Sequence, residues 1–143
     1  MLGEVRWMTG YTIGEVAEAT GLSVHALRFY EREGLFIEPV ERTSSDRRRY
    51  SQTNVDWLRI CTRLRESQMP LADLKRFAAL VREGPGNESE RLALLDAHRA
   101  RVDAQMQALE QARDIITWKT QLYETKLRDG DAEGLWDPTA ASS

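Results

Sequence analysis

Thr12-Ile13-Gly14-Glu15-Val16-Ala17-Glu18-Ala19-Thr20-Gly21-Leu22-Ser23-Val24-His25-Ala26-Leu27-Arg28-Phe29-Tyr30-Glu31-Arg32-Glu33-Gly34 is the stretch whose reading decides the fold. Thr12 and Glu15 have the spacing of a capping box, in which a hydroxyl satisfies a free helix amide and the glutamate reaches back to the cap. Ile13, Val16 and Ala17 then form a short apolar face. Gly21 breaks it, because glycine takes the left-handed conformation that a tight turn between helices requires. Ser23 caps a second helix from about Val24 to Glu33, which stops at Gly34. Two short helices joined by a tight turn containing glycine are the helix-turn-helix pattern.

Downstream, residues 35–50 cannot continue a helix: Pro39 and the polar turn Thr43-Ser44-Ser45-Asp46 interrupt them, with Phe36, Ile37 and Val40 as apolar flanks. A β-hairpin fits, and Arg47-Arg48-Arg49-Tyr50 returns as its second strand. Ser51 caps a third helix, with Val55, Leu58, Cys61/Thr62 and then Arg65 at helical spacing and Trp57, Ile60 and Leu64 alongside. Met69-Pro70 ends it. A fourth helix follows over Leu71 to Arg82, with Leu71, Leu74, Phe77, Ala78 and Val81 on one face.

Gly84-Pro85-Gly86-Asn87 marks a boundary. Beyond it, residues 88–127 contain no Pro or Gly, so a single helix of roughly 60 Å is expected at ~1.5 Å per residue. Leu95, Val102, Leu109, Ile116 and Tyr123 recur every seven residues. The companion row three residues earlier (Leu92, Arg99, Met106, Arg113, Thr120, Leu127) is mixed. One apolar row beside an interrupted one makes a narrow seam for a single partner helix. A homodimer supplies that helix most economically; a fold-back onto the head domain is the other reading. The expected organisation is a weakly ordered leader (1–10), a DNA-binding head (11–82), a linker (83–87), a dimerisation helix (88–127) and a flexible tail (128–143). The fold class is mainly α: a winged helix-turn-helix with a small hairpin wing, then a long coiled-coil dimerisation helix.

The formal charge of −3 argues neither for nor against a polyanionic partner. Its distribution is suggestive: residues 1–80 carry 12 Lys+Arg against 11 Asp+Glu, and residues 81–143 carry 8 against 12. One cysteine, Cys61, excludes an intramolecular disulfide and a Cys-rich metal site. No apolar run approaches the roughly 20 residues that span a bilayer, and no signal peptide is evident, so a cytoplasmic protein is expected. With no nucleophile–base set, metal spacing or phosphate-binding glycine loop, neither an enzyme nor a cofactor or metal is expected. His25 and His98 lack a second ligand and read as ordinary residues.

Helix-turn-helix geometry places the N-terminal part of the second helix at base edges in the major groove, here Ser23, Val24, His25 and Arg28. Arg28 suits a base or phosphate contact; the competing reading is an ion pair with Glu31 or Glu15. Tyr30 offers a hydroxyl to a phosphate. In the hairpin's second strand Arg47 and Arg49 share one side while Arg48 and Tyr50 share the other. A basic wing over the sugar–phosphate backbone fits this cluster, with protection of an edge strand as the alternative.

In order and in spacing, Tyr11 to Ala17, Gly21-Leu22-Ser23, Leu27 to Leu35 and Arg48-Arg49-Tyr50 resemble the head domain of the MerR family of transcription regulators, and Leu64 to Leu71 resembles that family's junction between its third and fourth helices. Beyond residue 82 the resemblance covers 88–127 only as a shared architecture, the long antiparallel coiled-coil dimerisation helix. It implies a homodimer that binds a palindromic operator in double-stranded promoter DNA and acts on RNA polymerase holoenzyme indirectly. The DNA is bent and untwisted at a cost of order 1–6 kcal/mol. By the same resemblance Thr12, Ser23, Arg28, Tyr30, Arg47, Arg48 and Tyr50 contact DNA. The chain also departs from the family. It has no cysteine beyond position 61, against metal sensing, and Arg63 stands where a thiol-sensing branch has its cysteine. Gln68 replaces the glycine expected at the end of the third helix. Only about 16 residues follow the long helix, too few for a ligand-binding domain, so an unidentified small-molecule effector would use Trp118, Tyr123 and Trp136 as walls. The alternatives are an architectural DNA-bending protein without effector and a small-molecule-responsive repressor.

Overall fold

The computed structural model describes residues 10–130 together with Glu133 and Leu135. Helices α1 (Ile13–Thr20) and α2 (Val24–Arg32) precede a two-stranded antiparallel hairpin, β1 (Glu41–Arg42) and β2 (Arg48–Arg49). Then come α3 (Gln52–Glu66), α4 (Leu71–Glu83) and α5 (Glu88–Asp129).

Each boundary has a local chemical cause. At α1 the capping box is complete: Glu15 N donates to Thr12 Oγ1 at 3.1 Å, and Thr12 N donates to Glu15 Oε1 at 3.1 Å. Ser23 and Ser51 cap α2 and α3 in the same way, accepting from Ala26 N and Asn54 N. Gly21 closes α1 with φ 76°. At the end of α3 it is Gln68 that takes the left-handed conformation, with φ 70°. Its amide donates to Arg65 O and that of Met69 to Leu64 O, the paired bonds of a Schellman turn. The turn forms as a glycine would form it, against the usual penalty for a Cβ in this region.

The hairpin pairs Glu41 with Arg49 and Arg42 with Arg48. Its turn is held by Thr43 N on Arg47 O and Asp46 N on Thr43 O, with Asp46 left-handed at φ 60°. A bridge between Tyr11 and Tyr50 ties the strand's continuation to the residue before the α1 cap. Val16, Leu27, Leu35, Tyr50, Val55, Leu58, Cys61, Met69 and Leu74 form the centre of the head core, all at most 1% exposed.

Two compact units divide the chain, the first ending at His98 and the second beginning at Arg99. The first turns of α5 therefore belong with the head. Arg76 pairs with Glu90 at 2.7 Å, Asn87 Nδ2 donates to Leu80 O, and Arg91 Nε donates to Asn87 Oδ1. Ser67 Oγ donates to Leu64 O, so it accepts from Nε2–H of the buried His98 at 2.7 Å. In the second unit α5 runs on to Asp129 and Gly130 follows with φ 72°.

Candidate nucleic-acid interface

Helix α2 is built to show one face. Leu27 and Tyr30, three residues apart, go into the core, while Ser23, His25, Arg28 and Arg32 stay exposed. Among the described residues neither Arg28 nor Arg32 has an ion pair or hydrogen bond, although Glu15 and Glu31 lie close in sequence. Their guanidinium groups keep all their donors for an outside acceptor. Ser23 Oγ accepts from Ala26 N and retains its proton, as does the half-buried Thr12 hydroxyl at the start of α1. Arg47, at the exposed end of the hairpin turn, likewise has no side-chain partner among the described residues. Arg32 belongs to no motif of its own in the sequence; its i+4 spacing from Arg28 is the available signal.

Three expected contact residues are placed differently. Tyr30 is 7% exposed, and its phenol lies near Cys61 and Arg65, on the side of α2 that packs against α3. Burial pushes its pKa up; Cys61 adds to the rise and Arg65 opposes it. Tyr50 is 0% exposed and its ring lies 5.5 Å from that of Phe36. Its hydroxyl is buried without a hydrogen-bond partner among the described residues. Burial again raises its pKa; Glu31 raises it further, and Arg48, Arg28 and Arg42 oppose the rise. Both tyrosines are core residues rather than surface donors, because helical and strand periodicity turn them inward with Leu27 and Arg48. Arg48 is also turned inward: its Nε donates to Glu31 Oε2 at 2.7 Å.

Placement of α2 and the wing depends on groups that the sequence did not announce. Three side chains hold the connecting segment 34–38 by its backbone. Arg82 Nη1 donates to Gly34 O at 2.7 Å and Phe36 O at 2.8 Å. Trp57 Nε1 donates to Leu35 O at 2.6 Å, with its ring stacked on Phe77 at 5.6 Å and 5°. Fully buried Asn54 accepts from Glu38 N at 3.1 Å and donates to Glu38 O at 2.9 Å. Nearby, Lys75 pairs with Glu33 at 3.0 Å. The recognition helix is thus fastened at its C-terminal end to α3 and α4, leaving its N-terminal end clear.

Two sequence-family descriptions match the chain: "MerR HTH family regulatory protein" over residues 11–80 and "MerR, DNA binding" over residues 55–118. An uncharacterized HTH-type transcriptional regulator of Haemophilus influenzae is 33% identical over 114 residues, covering 80% of this chain and 84% of that protein. The chain belongs to the MerR family. Among solved MerR-family structures, HiNmlR, described as lacking the sensor domain and bound to promoter DNA, superposes with a TM-score of 0.77. It has 31% identity and covers 90% of this chain and 96% of its own. A MerR-family regulator from Listeria monocytogenes gives 0.79 at 28% identity over 94% and 100%. Membership makes this MerR-family chain a DNA-binding transcription regulator and gives its capped α1–α2 pair the helix-turn-helix role.

The remaining features of the MerR-family chain lie elsewhere. Burial pushes the Cys61 thiol up to about 12. No group of metal-binding side chains occurs among the described residues, and no described helix is long and apolar enough to cross a membrane. On the second unit, Leu109 and Ile116 are 70% and 63% exposed, and Leu127 is 76% exposed. Ile115, Ile116, Thr120, Tyr123 and Leu127 border a shallow concavity there that Trp118 does not line. Lys119 Nζ lies 5.0 Å from the Trp118 ring centre and donates to Leu135 O at 3.0 Å. Trp136 lies outside the described residues.

Proposed function

We propose that the protein binds a palindromic operator as a homodimer, acting by binding rather than catalysis, and distorts the DNA to control access of RNA polymerase. The observation that carries this reading is the set of exposed, unpaired arginines, Arg28, Arg32 and Arg47, on the recognition helix and wing. Ser23 and Thr12 at the helix N-termini add hydroxyl and amide donors suited to phosphates. Base contacts come from Arg28, and backbone contacts from Thr12, Ser23, Arg32 and Arg47.

Dimerisation uses the row Leu95, Val102, Leu109, Ile116 and Tyr123. Support comes from the exposure of Leu109 and Ile116, because a solvated row of large apolar residues on one helix gains only when a partner helix covers it. The domain reading follows: head over 11–82, linker over 83–87 and dimer helix over 88–127, with the first turns of that helix serving as the head's anchor. The relationship to HiNmlR, whose description specifies a missing sensor domain, favours a regulator that works without an appended ligand-binding domain. Such a protein works on chromosomal DNA in the cytoplasm.

Footprinting of the purified protein on its own upstream DNA, with permanganate to reveal unstacked bases, tests this. A palindromic footprint with central distortion in the absence of ligand is expected. Protection without distortion would require a signal that is still missing. Absence of any footprint would overturn the proposal.

A further inference from the structure

Strand alternation puts Arg48 on the same side as Tyr50, which is fully buried, so Arg48 is aimed at helix α2. There its Nε donates to Glu31 Oε2 at 2.7 Å, and the two side chains are only 28% and 27% exposed. Glu31 lies one turn beyond Arg28 on the recognition helix, so the pair joins that helix directly to the wing. Cross-strand from Arg48, Arg42 spends its guanidinium on Asp46 within the hairpin, at 3.4 Å. Arg47, the neighbour of Arg48, is exposed and has no side-chain partner among the described residues.

We propose that Glu31 and Arg48 are positioning residues for DNA binding: their ion pair is a strut that sets the distance between recognition helix and wing, and Arg48 does not contact a phosphate. The inference rests on the DNA-binding reading above. Its physical basis is the cost of the alternative. Moving Arg48 onto a phosphate would leave the Glu31 carboxylate partly buried and unpaired beside a polyanion, where desolvation and repulsion act in the same direction. Keeping the pair closed neutralises Glu31 and holds Arg47 at a fixed offset from Arg28. Groove and backbone contacts can then form together without first ordering the wing.

The test compares Glu31→Gln, Arg48→Ala and the double variant in the full chain, on the footprinted DNA fragment and on a random-sequence duplex, from about 50 to 200 mM salt. The strut predicts that each single variant weakens binding to the fragment by about three- to ten-fold, the range of a partly buried ion pair. The double variant should be no worse than either single one. The slope of log K against log salt should stay at the wild-type value in all three, whereas Arg47→Ala lowers it by about 0.9. A phosphate contact by Arg48 predicts the opposite sign for Glu31→Gln, because releasing Arg48 would tighten binding to both DNAs, and predicts a lower slope for Arg48→Ala. Either result overturns the proposal. Because Glu31→Gln is nearly isosteric, its sign decides the matter even if Arg48→Ala folds poorly. Failure of the wild-type chain to prefer the fragment over random DNA would instead overturn the DNA-binding reading, and the strut with it.

Discussion

Asn54 is the most informative side chain to perturb, because one amide supports the path from recognition helix to wing. It is 0% exposed, and both ends of its carboxamide are used, accepting from Glu38 N at 3.1 Å and donating to Glu38 O at 2.9 Å. Asn54→Ala removes two hydrogen bonds worth a net of about 0.5–1.5 kcal/mol each and opens a small cavity. The bonds account for about 1–3 kcal/mol and the cavity for about 1 more, an expected loss of about 2–4 kcal/mol. Asn54→Asp is sharper, because an ionised carboxylate still accepts from Glu38 N but turns a negative oxygen towards Glu38 O. Once protonated, it offers one donor and one acceptor, as the amide does. Burial raises the folded-state pKa of the introduced carboxyl above its unfolded value of about 3.9. The folded form therefore takes up the proton first. Stability of this variant should rise as pH falls through the folded value, with the gain complete below the unfolded one. Urea unfolding followed by circular dichroism, at one protein concentration and from about pH 7 to pH 5, reads both effects. A loss below about 0.5 kcal/mol for Asn54→Ala, or an Asn54→Asp stability that does not rise relative to wild type on acidification, would refute the reasoning.

Arg28→Ala should weaken specific binding by roughly 1–3 kcal/mol in titrations of operator DNA; equal loss on random DNA would move Arg28 to the phosphate class. Placing Asp at both Val102 and Leu109 should convert the dimer to monomer by light scattering, and an unchanged mass would sink the seam assignment. Native Cys61, its thiol pushed up to about 12 by burial, should resist alkylation at pH 8, where roughly one thiol in ten thousand is ionised, and react on unfolding. Because this folded-state value exceeds the unfolded one, its contribution is present at neutral pH and is lost as pH rises towards 12. Rapid labelling of the native chain would show that the thiol is accessible.

Sequence alone determined the local structure. Thr12, Ser23 and Ser51 specify helix starts because a hydroxyl next to free amides acts within a few residues, and Gly21 and Gly34 specify stops through their own backbone freedom. The same holds for the heptad row from Leu95 to Tyr123, whose spacing states that one face needs cover. Gln68 shows the limit of such signals: the turn after α3 forms with a left-handed glutamine, since Met69 and Leu74 in the core fix where the chain must reverse.

The direction of side chains across elements was decided by tertiary structure. Tyr30 and Tyr50 had the chemistry of phosphate donors, and only the packing of α2 on α3 and of the hairpin on Phe36 shows them as core. Three consecutive arginines read as one basic cluster, yet alternation and the distant Glu31 separate Arg48 from Arg47. Asn54, Trp57 and Arg82 gave no signal because their partners are backbone groups 16 to 48 residues away, and any carbonyl in the chain would have looked equally suitable. Capping is a short-range interaction carried by the identity of nearby residues, whereas pairing across elements depends on where the core brings the backbone, which no local pattern encodes.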